Sequence, residues 1–317
     1  MDPCAKSLLG GIIDYAGLFP PAQLAMDEAF ARFVKHRSSD DGWMLARFVC
    51  PAARLEELEP MVTEAEAPQL PIAISVLGRG GDTLENFLES IDQDEQKMAA
   101  FFASLADRVV VDAFEVRLPE AGGVAVAVNQ AWGRVTKIGS RPLTPYFEVS
   151  LLGEWRPRLR AAVAAVRDTD RKAGDGNRVG LKIRCGGLEA AAIPEIEAVA
   201  AAIATCRATA VPLKATLGLH HPCRHHAPTL NTWVHGFDNH GTPSVLADLH
   251  DLPVRQLIEL VAEIDSEAFR WGPDNLGWRH LEASADDVAR ARRSVLTSFG
   301  SCSFSEPRDE LRGLGIV

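Results

Sequence analysis

Short apolar runs alternate with longer amphipathic stretches from the first residues to about position 220. The runs fall at 11–14, 44–50, 71–77, 109–118, 144–151, 179–184 and 211–216. Between them, 23–36, 53–65, 83–105, 122–135, 154–172 and 194–207 read as helices. In the last of these, apolar residues from Ile196 to Cys206 recur at i, i+3, i+4 and i+7, the stripe of a helix lying on a sheet. This repeated strand–helix alternation predicts a mostly parallel sheet. Charged residues near the ends of the runs favour a closed (β/α)8 TIM barrel, which draws its functional side chains from the C-terminal strand ends.

After His221 the pattern weakens. Residues 222–242 read as a loop rich in His, Pro, Asn and Gly, and 246–264 as one or two helices broken near Pro253. Two segments, 232–237 and 268–271, compete for the eighth strand. The tail carries the aromatic-glycine run Ser298-Phe-Gly-Ser-Cys-Ser-Phe304. The expectation is one barrel domain over 1–317, with a core at about 11–272 and a C-terminal extension of helices and loops at 273–317.

Composition narrows the classes. A chain of 317 residues accommodates one barrel of about 250 residues with additions. Hydrophobic content of 47% and charged content of 24% are ordinary for a globular protein. A net charge of −10 argues against nucleic acid as a partner, because phosphate binding needs a basic face. No apolar run is long enough to predict a membrane span. The opening Met-Asp-Pro-Cys lacks a signal-peptide layout, and the six scattered cysteines contain no C-x-x-C pair, so a reduced, cytoplasmic setting is expected.

The candidate chemistry centres on two lysines in consecutive predicted strands. Lys182 lies in Val179-Gly-Leu-Lys-Ile-Arg-Cys-Gly-Gly187, and Lys214 in Val211-Pro-Leu-Lys-Ala-Thr-Leu-Gly218. An ammonium inside an apolar strand loses hydration unless it is paired or neutralised. Two neighbouring lysines are expected to repel, leaving one as the free amine that imine chemistry requires. Side chains two apart share a strand face, so Lys182 pairs with Arg184, Lys214 with Thr216, Glu115 with Arg117 and Glu148 with Ser150. By chemistry, Lys182 is the candidate nucleophile, Lys214 its electrostatic partner and Glu115 a proton shuttle. Glu148 is placed to hold Lys214 or a substrate hydroxyl, and Arg184 and Arg117 to clamp a carboxylate or phosphate. The competing reading is a buried structural ion network.

These strings, taken in order from about Gly11 to Leu219, resemble the deoxyribose-phosphate aldolase group of class I aldolases. Ile12-Ile-Asp-Tyr-Ala-Gly-Leu-Phe-Pro20 is similar to that family's first-strand Ile-Asp-His-Thr-Leu-Leu-x-Pro, placing Asp14 at the acidic position. Arg47-Phe-Val-Cys-Pro51 resembles the second strand, Val111-Asp-Ala-Phe-Glu-Val116 the fourth, and Phe147-Glu148 the fifth. Leu181-Lys-Ile-Arg-Cys-Gly186 resembles Ile-Lys-Thr-Ser-Thr-Gly, whose lysine forms the Schiff base, and Leu213-Lys-Ala-Thr-Leu-Gly218 resembles Val-Lys-Ala-Ser-Gly-Gly, whose lysine tunes it. The resemblance implies a barrel and catalytic roles for Lys182, Lys214, Glu115 and Asp14. It departs at Ile183, Arg184 and Leu217, and no counterpart of the eighth-strand phosphate-binding Gly-Thr-Ser-Ser-Gly is present. The implied substrate is therefore a small carbonyl or carboxylate compound rather than a deoxyribose phosphate.

Six of the nine histidines fall between His220 and His240. His220 and His221 directly follow the seventh strand and are candidate substrate contacts. No cofactor is expected. A divalent metal held by His220, His221 and His235 is the alternative, serving a metal-dependent isomerase or hydrolase. A non-catalytic barrel that binds a small anion is the third reading, and a homo-oligomer is open.

Overall fold

A computed structural model describes residues 2–66, 71–105, 107–120, 122–138, 142–173 and 178–317. After a short helix α1 (Pro3–Leu9) come β1 (Ile13–Tyr15), α2 (Met26–Arg37), β2 (Leu45–Pro51), α3 (Leu55–Glu64), β3 (Ile72–Leu77) and α4 (Leu84–Leu105). Then follow β4 (Val109–Arg117), α5 (Val124–Val135), β5 (Thr144–Val149), α6 (Trp155–Ala173), β6 (Gly180–Arg184), α7 (Ile196–Thr209) and β7 (Leu213–Thr216). The remainder comprises β8 (His225–Ala227), β9 (Thr232–Val234), α8 (Asp238–His250), α9 (Val254–Val261), β10 (Phe269–Trp271), β11 (Asn275–Trp278), β12 (Leu281–Ser284), α10 (Ala285–Ser294), β13 (Leu296–Ser301) and α11 (Ser305–Gly313).

Eight parallel strands close into a barrel in the order β1-β13-β7-β6-β5-β4-β3-β2, ringed by helices. This is the (β/α)8 arrangement that the alternation predicts. Each strand turns its apolar positions outward, under the helices. Phe48 shows how: its ring meets Phe30 and Phe33 of α2 edge-on at 5.8 and 5.5 Å, which leaves Arg47 facing the barrel interior. Ile72, Ile74 and Val76 of β3 are likewise fully buried, and Ser75 between them turns inward.

Both segments that competed for the eighth strand are displaced by the structure. Thr232–Val234 pairs antiparallel with β8, and Phe269–Trp271 antiparallel with β11, each in a small sheet outside the barrel. Short local hairpins capture these apolar segments. The barrel is closed instead by Leu296–Ser301, which pairs parallel with β7 on one side and β1 on the other. The core therefore reaches beyond residue 272, and the aromatic-glycine run supplies its last strand. Residues 222–242 also hold more order than a loop, since α8 starts at Asp238. No helix among the described residues is long and apolar enough to cross a membrane.

Candidate active site

All eight barrel strands send at least one polar side chain into a single connected network, and β4 and β6 send two each. Lys182 Nζ of β6 lies 2.9 Å from Glu148 Oε2 of β5 and 2.8 Å from Glu115 Oε2 of β4. The other oxygen of Glu115 receives Lys214 Nζ of β7 at 2.5 Å and the Ser75 hydroxyl of β3 at 2.6 Å. Lys214 also donates to Asp14 Oδ2 of β1 at 2.5 Å, an oxygen shared with Ser298 of β13 at 2.6 Å. Arg47 of β2 reaches Asp14 Oδ1 at 3.3 Å and forks onto both oxygens of Asp112 at 2.5 and 3.0 Å. At the opposite end, Arg184 Nε stands 3.8 Å from Glu148 Oε1.

Charges alternate along this chain: Arg184, Glu148, Lys182, Glu115, Lys214, Asp14, Arg47, Asp112. Burying such groups is tolerable because each has an opposite partner on both sides, except at the two ends. Lys182 and Lys214 have side chains only 6% and 1% exposed, whereas Arg184 is 55% exposed at the rim. Burial works against both ammonium groups, but their carboxylate partners outweigh it and raise both lysine pKa values above the ordinary one. Burial likewise works against the charged forms of Glu115 and Asp14, and the adjacent cations outweigh it, holding both carboxyls below the usual range. At rest, then, both lysines are charged. The expectation that their repulsion would leave one neutral fails because Glu115 stands between them.

A cleft of ≈720 Å³ opens over the ends of β4, β5 and β6. Its walls include Glu148, Arg184, Arg117, Ser150, Gly186 and Gly187. Glu148 thus touches both the cleft and Lys182. Arg117 lies at the wall, held by Asp82 at 2.5 Å and Glu120 at 3.4 Å rather than aimed at the network. The loops after β6 and β7 touch backbone to backbone: a Cβ on Gly186 would come within 2.9 Å of Gly218 Cα, and Gly218 has φ +73°. Glycine is needed at both positions.

Of the residues singled out in the sequence, Lys182, Lys214, Glu115, Asp14 and Glu148 come together. Thr216 is half-buried at the end of β7, beside Gly300. The histidines diverge. His220 and His221 contact Glu306 and Glu310 of α11 at 2.5 and 2.9 Å, while His235 is buried with Nε2 2.9 Å from the Pro194 carbonyl oxygen. The proposed set His220, His221 and His235 is therefore not assembled, and among the described residues no three His, Cys, Asp or Glu side chains are grouped to hold a metal ion.

Sequence reasoning missed Arg47, Asp112, Ser75 and Ser298. A signal existed for the first two, since each is a charge inside an apolar run. The serines gave none. Neither a family model, a curated protein nor a solved structure matches the chain, so its chemistry has to be read from the geometry of the site itself.

Proposed function

We propose that the chain is an aldolase-type lyase, making or breaking a carbon–carbon bond through an imine between Lys182 and a small polar carbonyl compound. The carrying observation is the position of Lys182 Nζ, between a carboxylate that lines the cleft and a carboxylate that leads inward to Lys214. In this reading the substrate enters over β4–β6 with its anionic group on Arg184. Glu148, 2.9 Å from Lys182 Nζ and open to the cleft, is then the carboxylate placed to take the ammonium proton as the amine adds. The freed amine attacks the carbonyl carbon, and the carbinolamine oxygen leaves as water after protonation. The protonated imine accepts the electron pair of the cleaved carbon–carbon bond, and Glu115, buffered by Lys214, moves the proton between steps.

The resemblance to class I aldolases supports the same roles for Lys182, Lys214, Glu115 and Asp14. Six unpaired cysteines fit a cytoplasmic setting. The test is reductive trapping: the protein is incubated with cyanoborohydride and a panel of aldehydes, ketones and 2-oxo acids, and adducts are mapped by peptide mass. The reading requires a reduced adduct on Lys182 with at least one of these compounds. A second reading, a non-catalytic barrel that binds a small anion, is favoured by the exposed Arg184 and by the fully paired resting lysines. It predicts saturable binding of a carboxylate with no adduct.

A further inference from the structure

Two consecutive histidines after β7 lean on one helix. His221 Nδ1 meets Glu310, and His220 Nδ1 meets Glu306, one turn earlier on α11. The His221 ring otherwise packs against His225, with centroids 3.9 Å apart. His220 differs, because its second ring nitrogen, Nε2, lies 3.6 Å from Cys302 Sγ. Carboxylate, imidazole and thiol therefore stand in series, as in a nucleophile activated by an oriented base. Cys302 and His220 are partly open to solvent, unlike the buried Cys4, Cys50, Cys185 and Cys206.

We propose that Cys302, His220 and Glu306 form a second nucleophilic centre, in which Cys302 Sγ accepts an acyl group from a thioester or similarly activated acyl compound. It is built on the loops after β7 and β13 and on the first turn of α11, whereas the cleft of the lysine network opens over β4–β6, and it does not depend on imine chemistry. Burial raises the Cys302 pKa, so the resting group is a thiol whose proton must leave during attack. His220 Nε2 takes that proton while Glu306 stabilises the imidazolium through Nδ1. The sulfur lone pair forms the new carbon–sulfur bond, and the carbonyl π pair moves onto oxygen. Collapse of the tetrahedral intermediate breaks the bond to the leaving group, which takes the proton back from His220. An acyl carbon is the fitting electrophile, because its leaving group needs the proton that the imidazolium carries.

p-Nitrophenyl acetate is the probe, with release of p-nitrophenolate followed in time and the acetyl group located by peptide mass. Cys223, the other partly exposed thiol, is the internal reference within the same molecule. Acetylation of Cys302 should outpace that of Cys223 by at least about tenfold, and His220→Gln and Glu306→Gln should each remove that advantage. His221→Gln breaks the neighbouring tie to α11 and should leave the Cys302 rate unchanged. Equal labelling of the two thiols in the unaltered protein overturns the proposal. So does a His221→Gln effect as large as that of His220→Gln, since both histidines would then only fasten the helix.

Discussion

Lys182 and Lys214 face each other across the β6–β7 ladder, and the two oxygens of one carboxylate, Glu115, separate their ammonium groups at 2.8 and 2.5 Å. Neither lysine can change its charge without the other sensing it through Glu115. Replacing Glu115 with Gln removes the charge that both cations share and leaves each with one remaining carboxylate. Breaking a buried pair by removing one partner costs about 3–5 kcal/mol. Urea denaturation at pH 7 should show a loss of that size for Glu115→Gln.

Lys214→Met acts in the opposite sense on its neighbour. Glu115 then serves Lys182 alone and stabilises that ammonium further, so the neutral amine becomes rarer at a given pH. The rise with pH of any Lys182-dependent reaction should move to higher pH, as read from a rate–pH profile beside the unaltered protein.

Arg184 gives the cleft a preference for anions in this account. Its side chain is the one member of the alternating chain that stands mostly in solvent at the cleft wall. Arg184→Leu should raise KM for a carboxylate-bearing carbonyl compound by about tenfold to a hundredfold, the value of a charge-assisted hydrogen bond. KM for a neutral aldehyde should barely move.

Asp238 sets a pH dependence of stability separate from the network. Burial pushes its carboxyl up to about 7, while Thr242 donates a hydrogen bond to it at 2.7 Å. The folded state therefore holds a proton that the unfolded chain releases near pH 4, and folding stability falls as pH rises between those values. From pH 5 to pH 8 the protein should lose about 3 kcal/mol that Asp238→Asn retains. The network adds no slope in that window. The depressed carboxyls of Asp14 and Glu115 contribute stability above their unfolded values, lost only as pH falls through their lower folded ones. The raised lysines contribute below the ordinary lysine value, and that contribution is lost only as pH rises through their higher folded ones.

Seven barrel strands were legible because their outward positions are apolar and their helices carry a regular stripe. The eighth was not: Leu-Thr-Ser-Phe-Gly-Ser turns Ser298 and Gly300 inward, so its run looks polar and loop-like, while two more apolar segments fold into local hairpins. The residues of the candidate site were visible one strand at a time. Their electrostatic balance was not, because the sign of each lysine's shift depends on Asp14, Glu115 and Glu148 meeting it from other strands. The histidine loop misled for a similar reason. Its partners Glu306 and Glu310 lie far along the chain, and proximity in sequence suggested a metal that the geometry does not assemble.

The central claim is that Lys182, stored as an ammonium between two carboxylates, reacts with a carbonyl once it loses its proton. The most direct measurement is the rate of cyanoborohydride-dependent adduct formation at Lys182 with a small neutral aldehyde from pH 7 to pH 10, compared with Lys182→Arg. The account predicts an adduct on Lys182 whose rate climbs about tenfold per pH unit without levelling below the ordinary lysine value of about 10.4, and none at that position in the variant. A rate independent of pH, or modification spread equally over surface lysines with Lys182 untouched, would contradict it.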